Sequence, residues 1–265
     1  MDKKKIIFIS IFIILVIVFV VLCTSVFGMF KNKSNCEKDY LDFASKNENT
    51  IFSINKIVLF SNCNAQNKNA TASNFTIENL YQYTDIAIFL NNTNDENNME
   101  NTLKSVRLEN LQYTEKPSIG TQKLAYKNIN SFAKNTILEE NIFENDLNFS
   151  ISSNDTEDLS TPTLYNNCAN PIVLSYINEN IKTDYTITDT GSPITYDGSL
   201  LKKCGVLLSS LNCKISFDII ITNNLDQEFK CTVFIEPPLE NGEKSLYDGA
   251  LTITQNCNYD FIRYK

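Results

Sequence analysis

Ile215-Ser216-Phe217-Asp218-Ile219-Ile220-Ile221-Thr222, then Asn223-Asn224-Leu225-Asp226-Gln227, then Phe229-Lys230-Cys231-Thr232-Val233-Phe234-Ile235: these three consecutive stretches decide the fold. In the first, Ile215, Phe217, Ile219 and Ile221 alternate with Ser216, Asp218 and Thr222, the period-two pattern of a half-buried strand. Ile220 interrupts the polar face, so part of that face is expected to be covered. The middle stretch carries turn chemistry. In the third, Phe229, Cys231, Val233 and Ile235 alternate with Lys230, Thr232 and Glu236 until Pro237-Pro238 ends the strand. The pattern predicts a β-hairpin with Cys231 on its inward face.

Working upstream, Pro171 to Ile177 and Ile181 to Thr188 read as a second antiparallel pair turning at Asn178-Glu179-Asn180. Gly205 to Leu211 and Leu246 to Thr254 read as further strands. In the N-terminal half, strands are expected at Ile51 to Phe60, Thr76 to Leu80, Thr84 to Leu90, Leu103 to Tyr113 and Glu144 to Ser152. Cys36 to Asn47 is a short helical candidate, with Cys36, Tyr40 and Phe43 near helical spacing. Short strands separated by Asn, Asp, Ser and Gly clusters argue for a sandwich or an open barrel. Ser153 to Thr161 is the best linker candidate, so a soft boundary falls near residue 157.

At the N-terminus, Ile6 to Phe27 is an apolar run without charge, preceded by Lys3, Lys4 and Lys5. About 20 apolar residues of helix cross a bilayer. The run exceeds the apolar stretch of a cleaved signal peptide, and Leu22 before Cys23 is a poor fit to a lipoprotein. The reading is a cytoplasmic tail at 1–5, a signal-anchor transmembrane helix at 6–29, a β-rich region at 30–157 and a sandwich-like domain at 158–265. The fold class is therefore mainly β: a single transmembrane helix followed by one or two antiparallel β-sandwich-like domains. The basic tail places the N-terminus in the cytoplasm and the rest outside, since Lys and Arg concentrate on the cytoplasmic flank.

The chain has 265 residues and a formal charge of −8. Its two arginines are Arg107 and Arg263, a poor complement for nucleic acid, which is held mainly through phosphate neutralisation. Of 8 cysteines, Cys23 lies in the anchor, leaving an odd number outside. In an oxidising exterior, disulfides are expected. The short Cys204 to Cys213 loop is the easiest to close, and Cys36 with Cys63 is a second pairing. The odd thiol makes a disulfide-linked homodimer one expected outcome. Spacing does not fix the connectivity, and reduced, buried cysteines remain the alternative.

Histidine is absent, which excludes Ser-His-Asp and Cys-His nucleophile pairs and zinc sites built on imidazole. No close Cys-x-x-Cys pair suggests a zinc ribbon, and no glycine-rich phosphate loop stands among the 7 glycines. No cofactor is therefore expected. Asp189-Thr190-Gly191-Ser192 resembles the signature of aspartic proteases, where two aspartates share a proton. A single chain needs a second copy, and Tyr196-Asp197-Gly198 and Tyr247-Asp248-Gly249 lack the hydroxyl residue. Asp189 to Pro193 reads better as a turn. For calcium, Asn92, Asn94, Asp95 and Glu96, or Asp155, Glu157 and Asp158, supply oxygens without a defensible loop spacing. Glu139 and Glu140 are a weaker pair of acids.

The expected role is non-catalytic: an ectodomain on the membrane that binds a protein or surface polymer for adhesion, wall contact or structure. The alternatives are an anchored hydrolase built on Asp189, and an assembly or secretion component that pairs through its β-edges. The lipid bilayer is the expected partner of residues 6–29, and nucleic acid is not expected.

Overall fold

The computed structural model describes residues 51–67, 74–92, 98–136, 139–153, 161–188 and 194–263. The expected anchor at 6–29, the helical candidate at Cys36 to Asn47 and the centre of the Ser153 to Thr161 linker lie outside them. Among the described residues, no helix is long and apolar enough to cross a membrane.

The strands are β1 (Phe52–Ala65), β2 (Asn74–Asn92), β3 (Leu103–Glu115), β4 (Thr121–Tyr126), β5 (Ile142–Phe143), β6 (Leu147–Ser152), β7 (Thr163–Tyr165) and β8 (Ile172–Thr188). A short helix α1 (Ser199–Lys203) and a 3-10 turn (Leu208–Leu211) follow. Then come β9 (Lys214–Asn223), β10 (Glu228–Ile235), β11 (Glu240–Asn241), β12 (Lys244–Ser245), β13 (Leu251–Asp260) and β14 (Ile262–Arg263). The protein is mainly β, as its sequence predicts.

Two six-stranded sheets result, ordered β13-β1-β2-β8-β4-β5 and β14-β10-β9-β3-β6-β7. All pairings are antiparallel except β6 with β7. Ile57, Leu59, Ile86, Ile88 and Leu174 of the first sheet share one buried cluster with Val106, Leu108, Phe217, Ile219 and Val233 of the second. Aromatic rings join the layers: Phe52 stacks edge-on against Phe229 at 5.4 Å, and Tyr126 against Phe149 at 6.0 Å. The far ends of β1, β2 and β8 bury Ile77, Leu80 and Ile181 in a second cluster, covered by Leu200, Leu201, Leu208 and Leu246. Strands on either side of residue 157 contribute to both sheets: β8 pairs with β2, and β9 pairs with β3.

The β9–β10 hairpin forms in the register the alternation requires, with Ile219 opposite Cys231 and Phe217 opposite Val233. Asn223 builds its turn: Oδ1 accepts from the N–H groups of Leu225 and Gln227 at 3.0 and 2.9 Å. Ile220 is 2% exposed, covered as its place on the polar face requires.

The expected strands are corrected in four places. Pro171 to Ile177 and Ile181 to Thr188 are not a hairpin but one continuous strand, β8. Asn178 to Ile181 lie opposite Leu80 to Gln82, one extra residue on the β8 side, with Asn180 at φ 60°. That is a bulge, which bends a strand without reversing it. Thr76 to Leu80 and Thr84 to Leu90 likewise merge into β2, because Tyr81 to Tyr83 continue the ladder opposite Asn64 to Asn62 of β1 without a break. Gly205 to Leu211 is not a strand: Gly205 takes φ 68° just past α1, a helix-terminating conformation, and the buried leucines sit on a 3-10 turn. Leu246 to Thr254 begins as a 3-10 turn, and its strand starts at Leu251.

Cys63, Cys168, Cys204, Cys213, Cys231 and Cys257 are all free thiols. The Cys204–Cys213 bridge is not formed: Cys204 packs with the capping cluster and Cys213 with the core between the sheets. Cys36 lies outside the described residues, while Cys63 is fully buried. Burial pushes the thiols of Cys63, Cys168, Cys213 and Cys231 upward, to about 12 for Cys168 and Cys231. Such thiols behave as small hydrophobes and not as nucleophiles.

Candidate functional site

The two sheets differ in what covers their outer faces. On the β1-β2-β8-β4 sheet, the segment after β4 arches back over the strands before returning as β5 beside β4. Phe132 on this arch lies 6.4 Å from Phe60 of β1, which in turn packs on Tyr83 of β2 at 6.2 Å. Beside these rings the arch leaves a cleft of about 320 Å³, lined by Gln66, Tyr81, Lys123, Asn135, Glu139, Ile142, Ile177 and Glu179.

The alternation of three strands aims side chains into this cleft. Tyr81, Lys123, Ile177 and Glu179 stand on the outer face of β2, β4 and β8, one face of the pleat. Lys123 Nζ sits 2.7 Å from Glu179 and 3.9 Å from Glu139, bridging a carboxylate on the sheet to one on the arch. The hydrogen bond to Glu179 raises the Lys123 ammonium above its ordinary value, so it stays charged. The Tyr81 hydroxyl donates to Asn135 Oδ1, and burial raises this phenol, which stays neutral. Gln66 is held on the cleft wall by Asn180, whose N–H donates to Gln66 Oε1 at 3.2 Å. The β8 bulge that carries Asn180 therefore also shapes the site.

Next to the cleft, deeper under the arch, lies a buried ion pair. Lys127 Nζ is 2.6 Å from Asp85 Oδ2, with the side chains 3% and 0% exposed. Ser175 Oγ donates to Asp85 Oδ1 at 2.8 Å, and the Ala133 N–H donates to Oδ2 at 2.8 Å. Lys127 also donates to the carbonyl of Lys134 at 2.5 Å. Burial pushes the Asp85 carboxyl up and draws the Lys127 ammonium down, each against the pull of its partner.

The chemistry-bearing strings of the sequence fare unevenly. Asp189 to Ser192 lies outside the described residues, as do Asn94, Asp95, Glu96, Asp155, Glu157 and Asp158. Asn92 uses its amide N–H groups as donors, to the Asn101 carbonyl at 2.7 Å. Both acids are exposed, and of the two only Glu139, with its side chain 81% exposed, stands at the rim of the cleft. The two Tyr-Asp-Gly triplets pack together, but their aspartates serve as turn acceptors. Asp197 accepts from the N–H and hydroxyl of Ser199, and Asp248 accepts from the N–H and hydroxyl of Ser245. Among the described residues, no cluster of acids and cysteines has the arrangement of a metal site.

The residues that meet at the cleft come from five separate segments, and no local motif marks them. Asp85 did carry a signal: it stands directly before the apolar run Ile86 to Leu90 of a strand, where a buried charge needs a partner. Comparison with known proteins adds nothing to the geometry: no family, no curated protein and no solved structure matches this chain.

Proposed function

We propose that this chain is a membrane-anchored surface-binding protein whose β-sandwich takes a hydroxyl-rich ligand, a saccharide chain in chemical class, in the cleft around Tyr81. Residues 6–29 are the anchor and Lys3 to Lys5 the cytoplasmic flank. The observation that supports the reading is the lining of the cleft. One phenol ring and two isoleucines supply apolar contact, while two amides, two carboxylates and one ammonium offer donors and acceptors fixed by mutual bonds. That set suits a ligand presenting many hydroxyls and no negative charge, since the one ammonium is already shared between both carboxylates and the lining carries one negative charge in excess.

A panel of immobilised saccharides probed with the full-length protein in detergent tests it. Wild type should bind a subset, and Tyr81→Ala and Glu179→Gln should each weaken binding by about tenfold or more, the loss of one good contact. Equal binding by both variants, or none by wild type, defeats the reading. The display half has its own check: protease added to intact cells should remove the domain, and protection until lysis would count against an exterior location.

One observation favours a second reading, assembly through a strand edge. Among the described residues, strand β13 ends its sheet for ten residues and holds a single charge, Asp260, where exposed edges are normally blunted by lysine or proline. Thr252→Lys combined with Asn256→Lys should abolish any oligomer detected by cross-linking in membranes. An oligomer that survives both changes is held elsewhere.

A further inference from the structure

We propose that Lys127 and Asp85 become joined by an amide bond between Nζ and Cγ, formed by the folded domain itself and riveting β2 to the end of β4 across β8. Four observations converge on the pair. Its atoms are in contact at 2.6 Å, and both side chains are shut off from solvent. The contact is made on the outer face of the central strands, where Asp85 of β2 lies opposite Ser175 of β8, itself opposite Ala125 of β4. The ring of Tyr83 stands 5.4 Å from Nζ, and Ala125 and Ile177 extend the apolar surround. Among the described residues, the groups bonded to the carboxylate are neutral apart from Lys127 itself: the Ser175 hydroxyl and the Ala133 N–H.

An ion pair in such a place carries a large desolvation cost for each ion. Moving one proton from the ammonium to Oδ2 removes both charges, and burial biases each group in that direction. A neutral amine touching a neutral carboxylic acid is the reactant pair for amide formation. The lone pair of Nζ adds to Cγ, forming the C–N bond and a tetrahedral intermediate, and the C–Oδ2 bond breaks as that intermediate collapses. The second proton leaves Nζ for the departing hydroxyl, and one water is released. Oδ1, which holds negative charge in the tetrahedral intermediate, already accepts from the Ser175 hydroxyl and becomes the amide carbonyl. No oxidant, cofactor or external base enters the balance. Holding the two groups in contact supplies an effective concentration that no bimolecular reaction reaches, and the closed arch keeps water from reversing the step.

The test is the mass of the full-length protein, purified, reduced and denatured. Wild type should fall short of its sequence mass by one water, and a trypsin digest should contain a branched peptide joining the Asp85 segment to the Lys127 segment, uncut after Lys127. Lys127→Arg should restore the full mass and lose the branched peptide, while Ser175→Ala should slow the appearance of the deficit after synthesis. Full mass in folded wild type overturns the proposal. So does a deficit that persists in Lys127→Arg, because water lost elsewhere, as at Asp197-Gly198 or Asp248-Gly249, would then explain it.

Discussion

Asp218 shows how one residue couples the outer face of the second sheet to pH. Its carboxylate accepts from Lys230 at 2.8 Å, Thr232 at 2.6 Å and Asn110 at 2.7 Å. Burial alone would raise this carboxyl, but the three donors outweigh it and hold it below the ordinary carboxylate value. A folded-state value below the unfolded one means that stability is present above the unfolded value and is lost as pH falls through the folded one. Asp218→Asn should therefore cost about 2 kcal/mol at neutral pH, and its urea midpoint should converge with wild type as pH falls below about 4. A gap of the same size at acid and neutral pH would show that packing, not charge, is what Asp218 contributes. The donors come from β10 and from Asn110, a residue of β3 at φ 58°, so their convergence is a tertiary fact. The sequence displays Asp218 only as the polar position of an alternating strand.

Among the elements, those legible in the sequence are the ones whose pattern is local. The β9–β10 hairpin was readable because alternation, turn residues and terminating prolines all lie in the one stretch from Ile215 to Pro238. The β8 bulge was not, because Asn178-Glu179-Asn180 is equally good turn chemistry and it is pairing with β2 on one side and β4 on the other that keeps the chain straight. The α1 region misled for another reason: Val206, Leu208 and Leu211 are buried by the capping cluster, while Leu207 is 66% exposed, so an apolar run resembled a strand. Gly198, which opens α1, is fixed by a close approach. A Cβ there would stand 2.1 Å from the Leu246 carbonyl oxygen and 2.3 Å from that of Gly249, both backbone atoms that cannot swing aside. Gly198→Ala should cost at least about 2 kcal/mol. Gly205→Ala is the control: that position needs φ 68° but has open space around it, and should cost only about 1 kcal/mol. Equal losses in thermal unfolding would mean that the Gly198 contact relaxes freely.

For the molecule as a whole, composition and period were enough for a mainly β chain, but the way the strands are shared between sheets was not written in either. The segment around residue 157 has the polar composition of a linker, yet β2 finds its long partner β8 from beyond it, and β3 finds β9. Strand pairing is set by which faces must be buried together, and that information is distributed over the whole chain. Each sheet thus depends on strands from both sides, and the inner faces of the two sheets meet in a single apolar cluster. Residues 49–263 should accordingly unfold in one cooperative transition. Residues 158–265 produced alone would leave β8 without β2 and β9 without β3, exposing Leu174, Tyr176, Phe217 and Ile219, all of which are buried in the full chain. That fragment should lack a cooperative urea transition and should aggregate, because unpaired apolar strands associate. Two separated transitions in the full chain, followed at once by tyrosine fluorescence and by far-ultraviolet dichroism, would instead mean that each half keeps a core of its own. The covalent rivet proposed above gives the experiment a further arm: with Lys127→Arg the single transition should remain single and move to lower urea, since one cross-link changes the stability of the unit and not its number.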